Sequence, residues 1–400
     1  MRVLIDQQFH LGHHYQYIGH LLAPLAAAAE VVVAITREGQ ESKEFRTFLE
    51  PFAGRVRFEP VLPAAKPWLP MSERWQVHQD FRQVVRKFHP DYVLIPSGDA
   101  QATMMALHRL VGTGGTPGRL PCELGIHLGS GAPTAGWKTR LRDRLNGLNL
   151  SLTGARRVHL VNFLFYDQVR KLRPGVFSVM PHPVAAGPEL YKAESRRLLA
   201  IPEDGRYIGL AASIDSRKAV GEFLDGFREV ARPDDRVLLA GYINDTHWKT
   251  INDRFADLIA RGQLWLIRRF LTAAEYQAAL CALDVVCTPY PRFAGLSSTL
   301  LEGVAAGRPI LADNFGWSAA VVDRFQLGWT CDVLDHTQFA QAIRRALDTA
   351  GAYRRSEGAR RLLAFHTVDN FSDHWMAGID RALGRPPRPV KTWEWVNAAC

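Results

Sequence analysis

The stretch LDVVCTPYPRFAGLSSTLLEGVAAGRPILADN, residues 283–314, decides the fold. Residues 283–290 are an apolar run that stops at Pro291, which is how a buried strand reads. Residues 295–299 form a polar, glycine-bearing turn. Residues 300–306 follow as an apolar helix closed by Gly307, and residues 308–314 launch another short strand. Strand, turn, helix and strand make one βαβ unit, and strands this apolar belong to a parallel sheet covered on both faces.

The same rhythm extends in both directions. A first series of strand-like runs covers 1–6, 30–36, 56–62, 91–97 and 122–128, with a helix around 19–29. A second covers 207–213, 236–242, 263–270, 283–290 and 308–314. Between them lies HPVAAGP, residues 182–188, a segment of linker composition. The pattern predicts an α/β protein of two Rossmann-like doubly wound domains facing a cleft. The expected boundaries are 1–183, 184–370, and a C-terminal helix and tail, 371–400.

A chain of 400 residues with 47% hydrophobic residues is long enough for two such cores. No run approaches the ~20 apolar residues of a membrane span. The start, MRVLIDQQFHLGHH, turns polar too early for a secretory signal. Cys122, Cys281, Cys287, Cys331 and Cys400 are scattered, odd in number and lack metal-ligand spacing, so a reducing, cytoplasmic setting is expected. The formal charge of +9 points to anionic company. Its arginines are spread over many segments without a nucleic-acid-binding motif, so nucleic acid is not an expected partner.

Doubly wound sheets bind ligands outside the carboxyl ends of their strands. The first such loop, QQFHLGHHYQY, carries Gly12, which lets backbone approach a ligand, and His10, His13 and His14. Those imidazoles either form a polar surface turn or hold an acceptor; no carboxylate or thiolate accompanies them, so no metal site is expected. His127 ends the run 122–128 and precedes GSGAP, a loop able to admit a ligand. In the second series Arg217 and Lys218 stand between a strand and an amphipathic helix, where cations and unpaired amides together make a diphosphate clamp. Taken alone the pair is a solvated surface charge. Gly295, Leu296, Ser297, Ser298 and Thr299 form the turn before the 300–306 helix and offer hydroxyl and amide donors to a phosphate. Glu302 either accepts hydrogen bonds from a neutral diol such as ribose or stabilises the helix dipole.

With these residues in view, 207–333 resembles the donor-binding half of GT-B-fold glycosyltransferases of the group-one, retaining, glycogen-synthase-like type. The resemblance is carried by the block at Lys218, FLTAAEYQAALCALDVVCTPY, LLEGVAAGRPILA and DNFGWSAAVV. The N-terminal half fits more loosely, through the Gly12 loop, His127 and PHPV, and the resemblance implies that the C-terminal helix and tail, 371–400, cross back to it. The resemblance implies a metal-independent hexosyltransferase that needs no cofactor and takes a nucleotide sugar, UDP-linked by family frequency, as substrate. It implies that Glu302, as the second Glu of an E-x7-E motif, binds the ribose, that Lys218 binds the diphosphate, and that His127 lies beside the transferring sugar. Two positions depart from it: the first Glu falls on Ala294 and the usual Arg on Ser213. Arg217 is the expected replacement cation. The same departures suit a non-catalytic GT-B-like nucleotide-sugar binding protein, which is the alternative reading.

Residues 136–152, GWKTRLRDRLNGLNLSL, space Trp137, Leu141, Leu145 and Leu148 at helical intervals among Lys138, Arg140, Arg142 and Arg144. This helix either rests on anionic lipid, as a lipid-linked acceptor on the inner face of a membrane would require, or packs on its own domain.

Overall fold

The structure is a computed structural model that describes residues 1–10, 13–63, 71–111, 120–127, 136–184, 187 and 190–398. Gly12 and the GSGAP segment lie outside these residues. The chain divides into two compact units, residues 1–183 with 366–393, and residues 184–365 with 394–400.

The first unit is built on seven strands: β1 (Arg2–Asp6), β2 (Glu30–Thr36), β3 (Arg57–Leu62), β4 (Tyr92–Ile95), β5 (Cys122–Ile126), β6 (Arg157–Leu160) and β7 (Phe177–Val179). They pair in parallel in the order β3-β2-β1-β4-β5-β6-β7. Val31 to Ile35 of β2 are all buried. At about 1.5–3 kcal/mol for each large aliphatic side chain removed from water, this run favours a central, doubly covered position over any exposed one.

The second unit is a six-stranded parallel sheet of β8 (Arg206–Ala211), β9 (Asp235–Gly241), β10 (Leu264–Arg268), β11 (Val285–Thr288), β12 (Ile310–Asp313) and β13 (Gly328–Cys331). Its order is β10-β9-β8-β11-β12-β13. The helix Val220–Val230 turns Phe223, Leu224 and Phe227 inward, an i, i+1, i+4 stripe. Phe223 meets Phe339 of the helix His336–Thr349 at 6.0 Å between ring centroids.

Three strands, β6, β7 and β13, have no counterpart in the expected series. They are three or four residues long and include Arg157, His159, Ser178 and Gly328, too short and too polar for an apolar run to announce them. Pairing with a formed neighbour supplies what their sequences lack.

The C-terminal return begins at His366, ahead of the expected 371, and residues 394–400 group with the second unit instead of the first. The helix Val368–Ala382 is capped by Thr367 and nearly all buried, and its Ser372 hydroxyl donates to the His20 carbonyl at 3.0 Å. Trp393 is buried and stacks on Phe163 at 4.5 Å, whereas Trp395 lies beside the Arg361 guanidinium in the second unit. Cys122, Cys281, Cys287 and Cys331 are free, buried thiols. Among the described residues no helix is long and apolar enough to cross a membrane.

Asp6 closes β1 and is buried, with Oδ2 accepting from Gln101 Nε2 at 3.1 Å and Oδ1 unpartnered. Burial raises its pKa to about 7, against the opposing Gln101 hydrogen bond. The folded state therefore holds a proton that the unfolded state releases near pH 3.8, so stability present below that pH is lost as pH rises through about 7. Asp6→Asn is expected to flatten this slope, raising stability at pH 8 by up to about 4 kcal/mol with little change at pH 4. Denaturant unfolding at the two pH values measures it.

Candidate active site

In the second sheet the chain changes direction between β8 and β11, whose Val285 pairs with Ile208. The loops leaving the carboxyl ends of these adjacent strands therefore lie side by side, at the switch point where doubly wound sheets take ligands. The Ala219 amide donates to the Pro289 carbonyl at 2.8 Å and ties the two loops together.

The β8 loop presents Lys218. Its side chain is 8% exposed; Nζ donates to the Ser213 carbonyl, stands 3.4 Å from Asp215 Oδ2 and lies 5.3 Å from the Tyr290 ring centroid. Burial lowers the Lys218 pKa, partly offset by Asp215. Arg217 is held differently. Its backbone amide, Nε and Nη2 all reach the Asp215 carboxylate, at 2.9, 3.1 and 2.8 Å, and its side chain is 74% exposed. Burial of Asp215 opposes ionisation, but the Arg217 hydrogen bonds and the Lys218 charge win and hold its carboxyl well below the usual range. The expected basic pair is thus one shielded cation and one exposed cation sharing a carboxylate.

The β11 loop supplies the second half. The helix starts at Ser298 (Ser298–Ala305), two residues before the expected 300, so Ser298 and Thr299 sit in its first turn instead of the preceding bend. Ser297 is the cap, its Oγ accepting from the Leu300 amide at 3.3 Å. That cap leaves other first-turn amides as donors for an anion. Burial pushes the Tyr290 phenol up to about 12, against hydrogen bonds with Thr299 and Ser297. Tyr290 so links Lys218 on one loop to the capped helix start on the other.

Glu302 lies a turn further into the helix and accepts a hydrogen bond from the Tyr276 hydroxyl of the helix Ala273–Ala282. Burial, then the Glu302 charge, holds the Tyr276 phenol well above its ordinary pKa, so it stays a donor that orients the carboxylate. Behind the loop, the buried Asp313 at the end of β12 accepts from the Arg292 amide at 2.8 Å and the Val333 amide at 3.3 Å. Arg292 there adopts a left-handed φ of 52°. Gly316, at φ 66°, presses so closely on the loop that a Cβ would fall 2.7 Å from the Phe293 carbonyl oxygen and 2.8 Å from the Ala294 Cα. Gly295 and Leu296 lie in the intervening bend, both partly buried. Asp215, Tyr276, Tyr290 and Asp313 are the residues that motif reading misses; the signal available was the place of Tyr290 and Asp313 at strand ends and of Asp215 two residues from the basic pair, whereas Tyr276, inside a helix, carried none.

The first sheet changes direction between β1 and β4, and its histidines gather at that switch point. His127 follows β5; its Nε2 donates to the Pro96 carbonyl at 3.0 Å, leaving Nδ1 to take or hold a proton, and its amide donates to Asp99 at 3.1 Å. Its ring lies 5.6 Å from His14 and 5.8 Å from Tyr17. His14 bonds Ser97 Oγ at 2.8 Å, and burial followed by the neighbouring histidine charges drives its pKa to about 3. His13 contacts Gln16, Tyr17 and His182, whereas His10 lies apart, 6.2 Å from Tyr15. Among the described residues no group of His, Cys, Asp or Glu could hold a metal ion.

Two parallel sheets of this topology, each with polar groups at its switch point, have the GT-B fold. More particularly, residues 205–349 match the family model described as glycosyl transferases group 1. No curated protein matches it in sequence. Similar solved structures include Anabaena HepE in complex with UDP, with a TM-score of 0.67, 14% identity, and coverage of 95% of this chain and 100% of that one. Sucrose-phosphate synthase from Thermosynechococcus elongatus gives 0.66 and 14%, covering 96% and 99%. WaaG, a glycosyltransferase involved in lipopolysaccharide biosynthesis, gives 0.59 and 14%, covering 96% and 100%.

Replacing the shielded cation should matter more than replacing the exposed one. Lys218→Ala is expected to weaken UDP binding about 10- to 100-fold, the worth of a charge-assisted hydrogen bond, and Arg217→Ala by less. Titration calorimetry of both variants with UDP checks the order.

Proposed function

We propose that the protein transfers a sugar from a UDP-sugar to an acceptor with retention at the anomeric carbon, and that the phosphates are held without a metal. The observation that carries this reading is the meeting of Lys218 with the Ser297-capped helix start around Tyr290 at the β8/β11 switch point. Solved HepE complexes contain UDP, UDP and glucose, or UDP-glucose. The donor proposed here follows those ligands and the charge of this site.

Cleavage of the anomeric C–O bond builds positive charge on the sugar and negative charge on the departing diphosphate. Donors aimed at that diphosphate stabilise the transition state more than the ground state. Lys218, Arg217 and the first-turn amides supply this role. Glu302, already oriented by Tyr276, accepts from the ribose hydroxyls. In a retaining reaction a phosphate oxygen of the departing diphosphate takes the acceptor proton as the new bond forms on the same face. His127, with Nδ1 available, and His13 and His14 beside it are the acceptor-side groups, and an inverting reaction would draw its base from them.

Ala294 favours a second reading. Without the family carboxylate at that position, a protein that binds the nucleotide sugar and does not turn it over has the same phosphate and ribose groups. Thermal unfolding separates binding from its absence: UDP at 100 times its dissociation constant should add about 2.7 kcal/mol of stability. Mass spectrometry of a donor and acceptor panel then separates transfer from binding. A glycosylated product with the donor's anomeric configuration is the expected result, and Lys218→Ala is expected to lower its rate by roughly 100-fold or more.

For the acceptor we propose a lipid-linked molecule at an anionic membrane surface. The helix Trp137–Leu152 buries Asp143, Gly147 and Leu150, and leaves Trp137 66%, Leu145 56% and Leu141 50% exposed beside Lys138, Arg140 and Arg144. The neighbouring helix Asp99–Leu110, linked to it by Asn149 and Thr103, adds exposed Leu107 and Leu110. Apolar side chains interleaved with cations suit the interface of an anionic bilayer. Sedimentation with phosphatidylglycerol vesicles is expected to pellet the protein, and Leu141→Gln with Leu145→Gln to leave it in the supernatant while UDP binding persists.

A further inference from the structure

The edge of the first sheet opposite its histidines carries a pocket of about 480 Å³ lined by Arg156, Arg157, Arg173 and Arg381, with Tyr92, Glu123 and Gly378. Tyr92, Glu123 and Arg157 stand at or next to the amino ends of β4, β5 and β6, so the pocket belongs to neither switch point. Arg381 and Gly378 come from the last turns of the returning helix Val368–Ala382. Four guanidinium groups from three separate segments converge here, an arrangement that their mutual repulsion disfavours without a counter-charge.

The one carboxylate present offers at most a single negative charge against four guanidinium groups. Glu123 is buried and already engaged by neutral donors: Oε1 accepts from the Tyr92 hydroxyl at 2.8 Å and Oε2 from His159 Nε2 at 2.8 Å. His159 is fixed on its other side by Ser178 at 2.9 Å. Gly378 lies so close that a Cβ there would fall 1.8 Å from Glu123 Oε1, which locks the carboxylate into the floor. Arg173 spends one nitrogen on the Ser151 carbonyl at 3.2 Å. Among the described residues, Arg156, Arg157 and Arg381 pair with no carboxylate.

We infer that this arginine pocket binds a small phosphorylated ligand, a phosphate monoester or diphosphate, at a site separate from the sugar-nucleotide site. Guanidinium forks match the oxygens of a phosphate two at a time, and a dianion neutralises the excess positive charge that the floor leaves uncompensated. The volume suits a phosphate carrying a small organic group. A soluble phosphorylated metabolite and the headgroup of a phosphomonoester lipid share this chemistry.

The test uses the full chain with Lys218→Ala, so that the sugar-nucleotide site contributes less, and the arginine substitutions assign what remains. Calorimetry with inorganic pyrophosphate and, separately, with short-chain phosphatidic acid below its micelle concentration is expected to show saturable binding of at least one probe. Arg157→Gln with Arg381→Gln should weaken it tenfold or more. Binding of pyrophosphate alone identifies a soluble ligand, and of phosphatidic acid alone a lipid headgroup. Arg156→Gln by itself, with far-ultraviolet circular dichroism unchanged, should reproduce a smaller loss and guards against misfolding of the double variant. No saturable binding of either probe, or binding that the arginine substitutions leave intact, overturns the inference.

Discussion

The hydrogen bond from the Ala219 amide to the Pro289 carbonyl, 2.8 Å long, joins the two loops on which the proposed sugar-nucleotide site rests. It exists because β8 and β11 are parallel neighbours with opposite directions of onward winding. Parallel pairing sends both loops out of the same edge, and the reversal leaves a gap between their following helices. Lys218 and the start of the Ser298–Ala305 helix occupy that gap, with Tyr290 between them. Were β11 to pair elsewhere, the cation and the helix amides would belong to separate surfaces.

Several buried groups hold this arrangement before any ligand arrives. Asp313 ties the β11 loop to the start of the Val333 segment, Gly316 braces it from behind, and Tyr276 fixes the Glu302 carboxylate. A carboxylate restrained in this way need not be ordered again when it meets a ligand hydroxyl, which is the economy of preorganisation. Asp215 acts on the cations similarly, gripping Arg217 at three points while leaving Lys218 shielded beside Tyr290.

The first unit repeats the logic with different chemistry. Its switch point lies between β1 and β4 and is lined by closely packed imidazoles, with burial depressing the His14 pKa strongly. One sheet thus offers positive charge and amide donors suited to phosphates. The other offers imidazole and hydroxyl hydrogen-bonding groups suited to hydroxyls. That division of labour accords with the proposed transfer from a charged donor to a polyhydroxylic or lipid-linked acceptor.

Much of this was written in the chain itself. Apolar runs at 30–36, 207–213 and 283–290 can only be doubly covered parallel strands, because each consecutive side chain must leave water. The turn, cap and helix around Ser297 follow from local rules of hydroxyl, glycine and proline placement, as does the candidacy of Lys218 and Glu302. What the tertiary structure alone decided is which distant groups meet. Pairing lent strand form to β6, β7 and β13; packing chose Tyr276 as the partner of Glu302, and turned Leu141, Leu145 and Leu148 outward while burying Asp143. Such pairings depend on contacts between residues far apart in the chain, and a local pattern carries no information about its partner until the backbone closes upon it.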